Sequence, residues 1–207
     1  DVFVHKYNNV ELFVYSTMKK LFIVANWKSN NTEFEAKNWL SELKIESLDL
    51  TNKEVIICPP FTLLSSLKSN IKLGAQNVSP FEKGPYTGEI SADLLSEFVN
   101  YVIVGHSERR SNFNEKDEIL FKKVELAKKY SLTPIFCVQG VGTKIPSGIS
   151  IAAYEPVNAI GTGHPDTPEN AQEVASFFKK NYKVQYILYG GSVTSQNVKS
   201  FTQMPDI

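Results

Sequence analysis

Cysteine is scarce in this chain: Cys58 and Cys137 are the only two among 207 residues. So few thiols cannot form a disulfide framework, and each sits at the end of an apolar run of the kind that buries an inert side chain. The count fits a reducing compartment, and a cytoplasmic location is the expectation. Net charge is also missing, because 22 basic side chains balance 22 acidic ones. That balance gives no electrostatic basis for nucleic acid or an anionic membrane as the main partner. The local lysine pairs, Lys122-Lys123 and Lys128-Lys129, fall on an amphipathic stretch and read as its solvated face. Long hydrophobic runs are absent too; none approaches the ~20 residues that span a bilayer. With 42% apolar residues, the chain can still bury the core of a single domain.

What is present is an alternation of strand and helix patterns. Strands are predicted at 21–25, 55–58, 71–75, 101–105, 134–138, 149–154 and 185–189. Most are continuously apolar, as parallel strands covered by helices are. Thr32-Glu33-Phe34-Glu35 is a capping box that opens a helix, and Thr167-Pro168 places proline at the first helical position of another. Residues 115–130 and 194–201 carry further helical patterns. Such repetition implies a parallel sheet, either doubly wound or closed into a barrel. Polar and glycine-rich signatures follow many of the strands on what would be one face, which favours the barrel.

Two places interrupt the pattern. After Val138 a stretch with Gly140, Gly142, Pro146 and Gly148 holds no helix, although a parallel crossover usually contains one. The seventh strand is followed by one helical pattern and then by Ile207, with no eighth strand. At the other end, residues 1–17 precede Met18-Lys19-Lys20, which resembles a translation start. They are expected to be an N-terminal extension or leader, too polar for a secretory signal, ahead of a barrel domain at 18–207. Residues 10–15 have strand character; covering the sheet edge left without its eighth strand is one reading of them, and a disordered leader is the favoured other.

Several strand ends carry chemistry. Glu155 leaves a buried strand directly before Pro156, and the chain continues through Gly161-Thr162-Gly163. A carboxylate there, beside a rigid proline and a flexible loop, suits a catalytic base under a closing lid. Asn26-Trp27-Lys28 puts an amide and a cation at another strand tip, a point charge for an anionic substrate. His106 stands in Gly105-His106-Ser107-Glu108-Arg109-Arg110. Gly190-Gly191-Ser192 precedes a helical pattern, where amide groups approach a phosphate closely.

Taken in order, Asn-Trp-Lys, Gly-His-Ser-Glu-Arg-Arg, Ala-Tyr-Glu-Pro-Val, Ala-Ile-Gly-Thr-Gly and Tyr-Gly-Gly-Ser-Val closely resemble the triosephosphate isomerase family. Cys58-Pro59-Pro60-Phe61, Gly74-Ala75-Gln76-Asn77 and Tyr86-Thr87-Gly88-Glu89-Ile90-Ser91 add to the likeness. The resemblance implies a (β/α)8 TIM barrel, here incomplete, with the fifth helix deleted and the eighth strand and helix absent. It implies an isomerase of glycolysis and gluconeogenesis that interconverts dihydroxyacetone phosphate and D-glyceraldehyde 3-phosphate without metal or organic cofactor. Glu155 would be the base, and neutral His106 would polarise the carbonyl. Lys28 would supply positive charge with Asn26 assisting, and Glu108 would brace Lys28. Residues 156–163 would be the lid, closing through the Gly161 amide. Gly190, Gly191 and Ser192 would hold part of the phosphate. A homodimer is also implied: Thr87 would approach the partner's site, and Glu89 would pair with Arg109 across the interface.

The chain departs from that family at several points. Asn158 stands where the family has tryptophan, His164 replaces a lysine, and Gln139-Gly140 replaces Gly-Glu. The family's glycine pair after the eighth strand, which gives two amides to the phosphate, has no counterpart here. Hydrogen bonds to charged groups are worth roughly 1.5–3 kcal/mol each, so impaired turnover is expected. A non-catalytic relative that binds phosphorylated metabolites or a partner chain is the alternative. Another barrel enzyme with phosphate substrates would explain Gly190–Ser192 but leaves Glu155 and His106 without a reason.

Overall fold

Short runs of β-branched and aliphatic residues lay the chain out as strands. The structure, a computed structural model, describes residues 4–7, 10–13, 19–43, 49–67, 71–156 and 165–207, the first two segments by backbone alone. β1 (Val4–Tyr7) and β2 (Val10–Phe13) pair antiparallel with each other, Val4 opposite Phe13 and Tyr7 opposite Val10. The edge-cover reading is thus corrected. The segment pairs with its sequence neighbour in a sheet of its own, because local pairing closes the shorter loop.

The remaining strands form one parallel sheet in sequence order. They are β3 (Leu21–Asn26), β4 (Lys53–Cys58), β5 (Lys72–Ala75), β6 (Tyr101–Val104), β7 (Thr133–Val138), β8 (Ile151–Tyr154) and β9 (Tyr186–Tyr189). All seven predicted strands are present, and no ladder joins β9 back to β3 among the described residues. The barrel therefore has seven staves and a seam. β6 and β8 are buried along their whole length, whereas no residue of β3 is.

Strand periodicity separates two cores. Ile103, Ile135, Cys137 and Ala153 point into the barrel with Ile56 and Cys58. Their neighbours Val104, Phe136, Val138 and Ala152 point outward to the helices. Gly74 is a close approach: a methyl there would lie 2.6 Å from Cys58 Sγ. At the N-terminal mouth Glu54 gathers Lys20, Lys72 at 2.7 Å and the Tyr101 hydroxyl at 2.5 Å. Burial opposes its charge, but these donors outweigh that and hold Glu54 at about 2.

The helices are α1 (Glu33–Glu42), α2 (Ala92–Ser96), α3 (Ser107–Asn112), α4 (Asp117–Lys129), α5 (Pro168–Tyr182) and α6 (Val198–Thr202). The capping box at Thr32 and Glu35 forms, as does the Thr167 cap. The pattern at 194–201 yields a shorter helix, because Thr194 and Asn197 bond each other reciprocally and hold a turn before it. Residues 139–150 contain no helix, yet β7 and β8 pair in parallel around them. One lysine contradicts its expected solvation. Lys123 is only 3% exposed at its side chain and reaches Glu115 at 2.5 Å and Asn77 at 2.7 Å. Among the described residues no helix is long and apolar enough to cross a membrane.

Candidate active site

Parallel strands in a barrel deliver their C-terminal ends to one face, so residues remote in sequence meet there. β8 hands over to Glu155, whose main-chain N–H donates to Val138 O at 2.8 Å and prolongs the ladder by one residue. Its carboxylate is buried, with the side chain 6% exposed. One oxygen accepts the Ser107 main-chain N–H at 2.8 Å, and the other lies 3.3 Å from His106 Nε2.

His106 caps α3. Its Nδ1 accepts the Glu108 main-chain N–H at 3.3 Å, so in the neutral ring the proton sits on Nε2. That nitrogen is the one beside the Glu155 carboxylate. Glu108 also reaches Lys28, whose Nζ lies 2.5 Å from its Oε1. Both side chains are about two-fifths exposed, so the pair orients charge more than it stabilises the fold.

Lys28 adopts a left-handed backbone, with φ +53°. Such a conformation costs a lysine roughly 1 kcal/mol or more and persists only where neighbours impose it. Here Asn26 Oδ1 accepts the Lys28 N–H at 3.0 Å, and the Gln76 side-chain amide donates to Lys28 O at 2.8 Å. Gln76 also donates to Cys58 O, tying the tips of β3 and β4 together. Trp27, between Asn26 and Lys28, is buried against Trp39.

β9 ends in the Gly190–Ser192 turn. Gly190 N–H donates to Tyr154 O at 2.8 Å, and a methyl on Gly190 would come within 3.2 Å of Glu155 Cγ. Asn26, Lys28, His106, Glu155, Gly190 and Ser192 all line one cleft of about 1170 Å³. It continues down the barrel axis past Cys137 and is lined by residues of both β3 and β9. Both cysteines are inert by position. Burial pushes the Cys58 thiol up to about 12, and burial followed by the neighbouring Glu155 carboxylate pushes Cys137 well above its ordinary range.

Most of the sequence-predicted groups thus converge, but Gly191 and Glu108 are not among the residues that line the cleft, and there are further exceptions. Gly161, Asn158 and His164 lie outside the described residues, as does most of the expected lid. Thr87 and Glu89 are exposed on the long loop before α2. Arg109, expected to meet Glu89 of a second chain, donates within its own chain to Glu115 at 2.7 Å. The parts played by Gln76 and the Ser107 amide were not foreseen. Each acts on a group from a different strand, and no local signal marks that.

A family model for triosephosphate isomerase matches residues 21–207. Relatives named triosephosphate isomerase include one from Endomicrobium trichonymphae, 39% identical over 227 residues, covering 92% of this chain and 91% of that protein. One from Carboxydothermus hydrogenoformans is 40% identical over 230 residues, covering 92% and 91%. Another, from Dictyoglomus turgidum, is 37% identical over 228 residues and covers 92% of both. The match takes in every strand of the seven-stranded sheet and every helix, and the chain belongs to the triosephosphate isomerase family.

Proposed function

We propose that this chain interconverts dihydroxyacetone phosphate and D-glyceraldehyde 3-phosphate by proton transfer through an enediolate. The observation that carries the reading is the pairing of a buried carboxylate with a histidine Nε2–H, 3.3 Å apart, at the mouth of one cleft. Glu155 removes the proton beside the carbonyl and returns it to the neighbouring carbon. To do so its carboxylate leaves the Ser107 amide and turns toward the substrate. The His106 Nε2–H stabilises the oxygen on which negative charge develops. Lys28 adds a cation for that oxygen and the phosphate, Asn26 holds the Lys28 backbone, and Glu108 steers the ammonium group. The Gly190–Ser192 turn takes the phosphate.

The same reading includes a homodimer in which the loop carrying Thr87 and Glu89 enters a second chain near Arg109. A cytoplasmic location accords with two buried free cysteines. One observation favours a second reading, a phosphate-binding relative without turnover: among the described residues no ladder joins β3 to β9, which meet through the Phe22 and Tyr186 rings, 4.8 Å apart, so no strand ties the Lys28 side to the glycine side. A coupled assay with glyceraldehyde 3-phosphate separates the two. The purified chain should turn over substrate, and Glu155→Gln should lower kcat by about 10²–10⁴ with KM little changed. Equal rates for the two proteins would refute the isomerase reading.

A further inference from the structure

A second polar cluster lies across the tips of β8 and β9 and takes no part in the chemistry above. Asp166 stands just ahead of α5. One carboxylate oxygen accepts the Tyr154 hydroxyl at 2.9 Å and the Asn170 side-chain amide at 2.6 Å. The other oxygen accepts the Thr167 N–H at 2.8 Å. The main-chain N–H of Asp166 donates to the Tyr189 hydroxyl at 2.7 Å. One residue therefore grips two phenols from adjacent strands.

The identity of those phenols gives the grip its meaning. Tyr154 immediately precedes Glu155, and Tyr189 immediately precedes the Gly190–Ser192 turn. Tyr189 is held from the other side by Phe201, their rings stacked at 3.8 Å. Burial, reinforced for Tyr154 by its hydrogen bond to Asp166, raises both phenols above their ordinary range. Both therefore stay protonated at neutral pH, and Tyr154 remains a donor to the carboxylate. On the cleft side the spacing is tight. A methyl on Gly190 would lie 3.2 Å from Glu155 Cγ, and one on Gly191 would lie 2.8 Å from the Tyr189 hydroxyl and 3.1 Å from the Pro156 ring. The strand carrying the base and the turn after the next strand are packed with no slack.

We propose that Asp166 is a positioning residue: it clamps the tips of β8 and β9 and so sets the distance between the Glu155 carboxylate and the Gly190–Ser192 turn. Its catalytic consequence rests on the isomerase reading, whereas the clamp itself does not. A reacting centre displaced by about 1 Å loses roughly 10²-fold in rate, so a clamp at this point matters.

The bond from Gly190 N–H to Tyr154 O spans the two tips and reports on the clamp directly. Amide hydrogen exchange by NMR on the whole chain should show Gly190 exchanging at least tenfold faster in Asp166→Ala. The amides of β6 and β7 should keep their wild-type rates. Asp166→Asn retains an acceptor oxygen and the main-chain N–H, and should restore most of the protection; Tyr154→Phe should lose it. In the coupled assay Asp166→Ala should raise KM and lower kcat together, each by several-fold to tenfold, with rescue by Asp166→Asn. Unchanged Gly190 exchange in Asp166→Ala would overturn the clamp, whatever the activity. Equal acceleration in every strand would also overturn it, since that reports only a weaker fold. Wild-type protein without turnover would refute the isomerase reading and leave the exchange result to judge the clamp.

Discussion

His106 Nε2 and Glu155 Oε1 stand 3.3 Å apart, while the second oxygen of Glu155 is bonded to the Ser107 amide. Glu155 is thus held by the first residue of the helix that His106 caps. The two side chains meet at the β6–α3 junction, although they come from strands far apart in sequence.

Lys28 provides positive charge on the opposite lip of the cleft. Lys28→Met would remove it and leave the Glu108 carboxylate without its ammonium partner. Bonds to charged groups are worth roughly 1.5–3 kcal/mol, so KM for the triose phosphate should rise about 10- to 100-fold. Thermal stability should fall by less than about 1 kcal/mol, because the ion pair is largely exposed. Steady-state kinetics beside a melting curve tests both parts; an unaltered KM removes Lys28 from the binding site.

Gly190→Ala should disturb the base without disturbing the fold. The added methyl meets Glu155 Cγ at 3.2 Å and Tyr154 O at 3.3 Å, and the side chain is the softer of the two neighbours. A displaced carboxylate should lower kcat/KM by about 10²-fold, with the circular dichroism spectrum of the wild type. Wild-type kcat/KM in this variant would mean that the turn and the base do not touch.

Glu115 is the buried anion of a triad with Lys123 and Arg109. Truncation to Ala leaves the nearly inaccessible Lys123 ammonium, among the described residues, with Asn77 as its hydrogen-bond partner and the Glu89 carboxylate acting from further off. Stranding a buried charge costs roughly 3–5 kcal/mol. Urea unfolding of Glu115→Ala should register a loss of that order, and a change under 1 kcal/mol would show that water reaches the triad freely.

Acid should weaken the N-terminal mouth of the barrel first. Glu54 sits at about 2 when folded, below its ordinary 4.5. A depressed carboxyl contributes stability that is complete above the unfolded value and is lost as pH falls toward the folded one. Its side chain is 11% exposed but lies near the surface, so about 1–2 kcal/mol should disappear between pH 4.5 and 2 after solvent screening. Glu54→Gln should flatten that part of the profile, as read by denaturant titration at each pH.

Continuous apolar runs made the seven strands legible, and their order in the sheet followed the order of the chain. Asn26, Lys28, His106 and Glu155 were legible because each leaves a strand directly, where side-chain direction is constrained. Lys123 was misread because periodicity locates an apolar face but does not reveal that Glu115 and Asn77 offer a buried cation its partners. Gln76 and Asp166 escaped notice for a related reason. Their work is done on main-chain and phenol groups brought alongside by the parallel sheet, and spacing along the chain carries no trace of that. Within the segment 10–15, residues 10–13 form a strand that hydrogen-bonds to β1 rather than to the barrel edge, since a nearer partner competes for its hydrogen bonds.

The rims of β3 and β9 have one more consequence. Asn26 and Lys28 ride on one rim, and the Gly190–Ser192 turn rides on the other. An anion held between them would add a second tie to rims that meet through the Phe22 and Tyr186 rings, much as a keystone locks an arch. Ligand and scaffold would then share the task of keeping the cylinder round, and saturation with inorganic phosphate should stiffen the whole molecule by mass action.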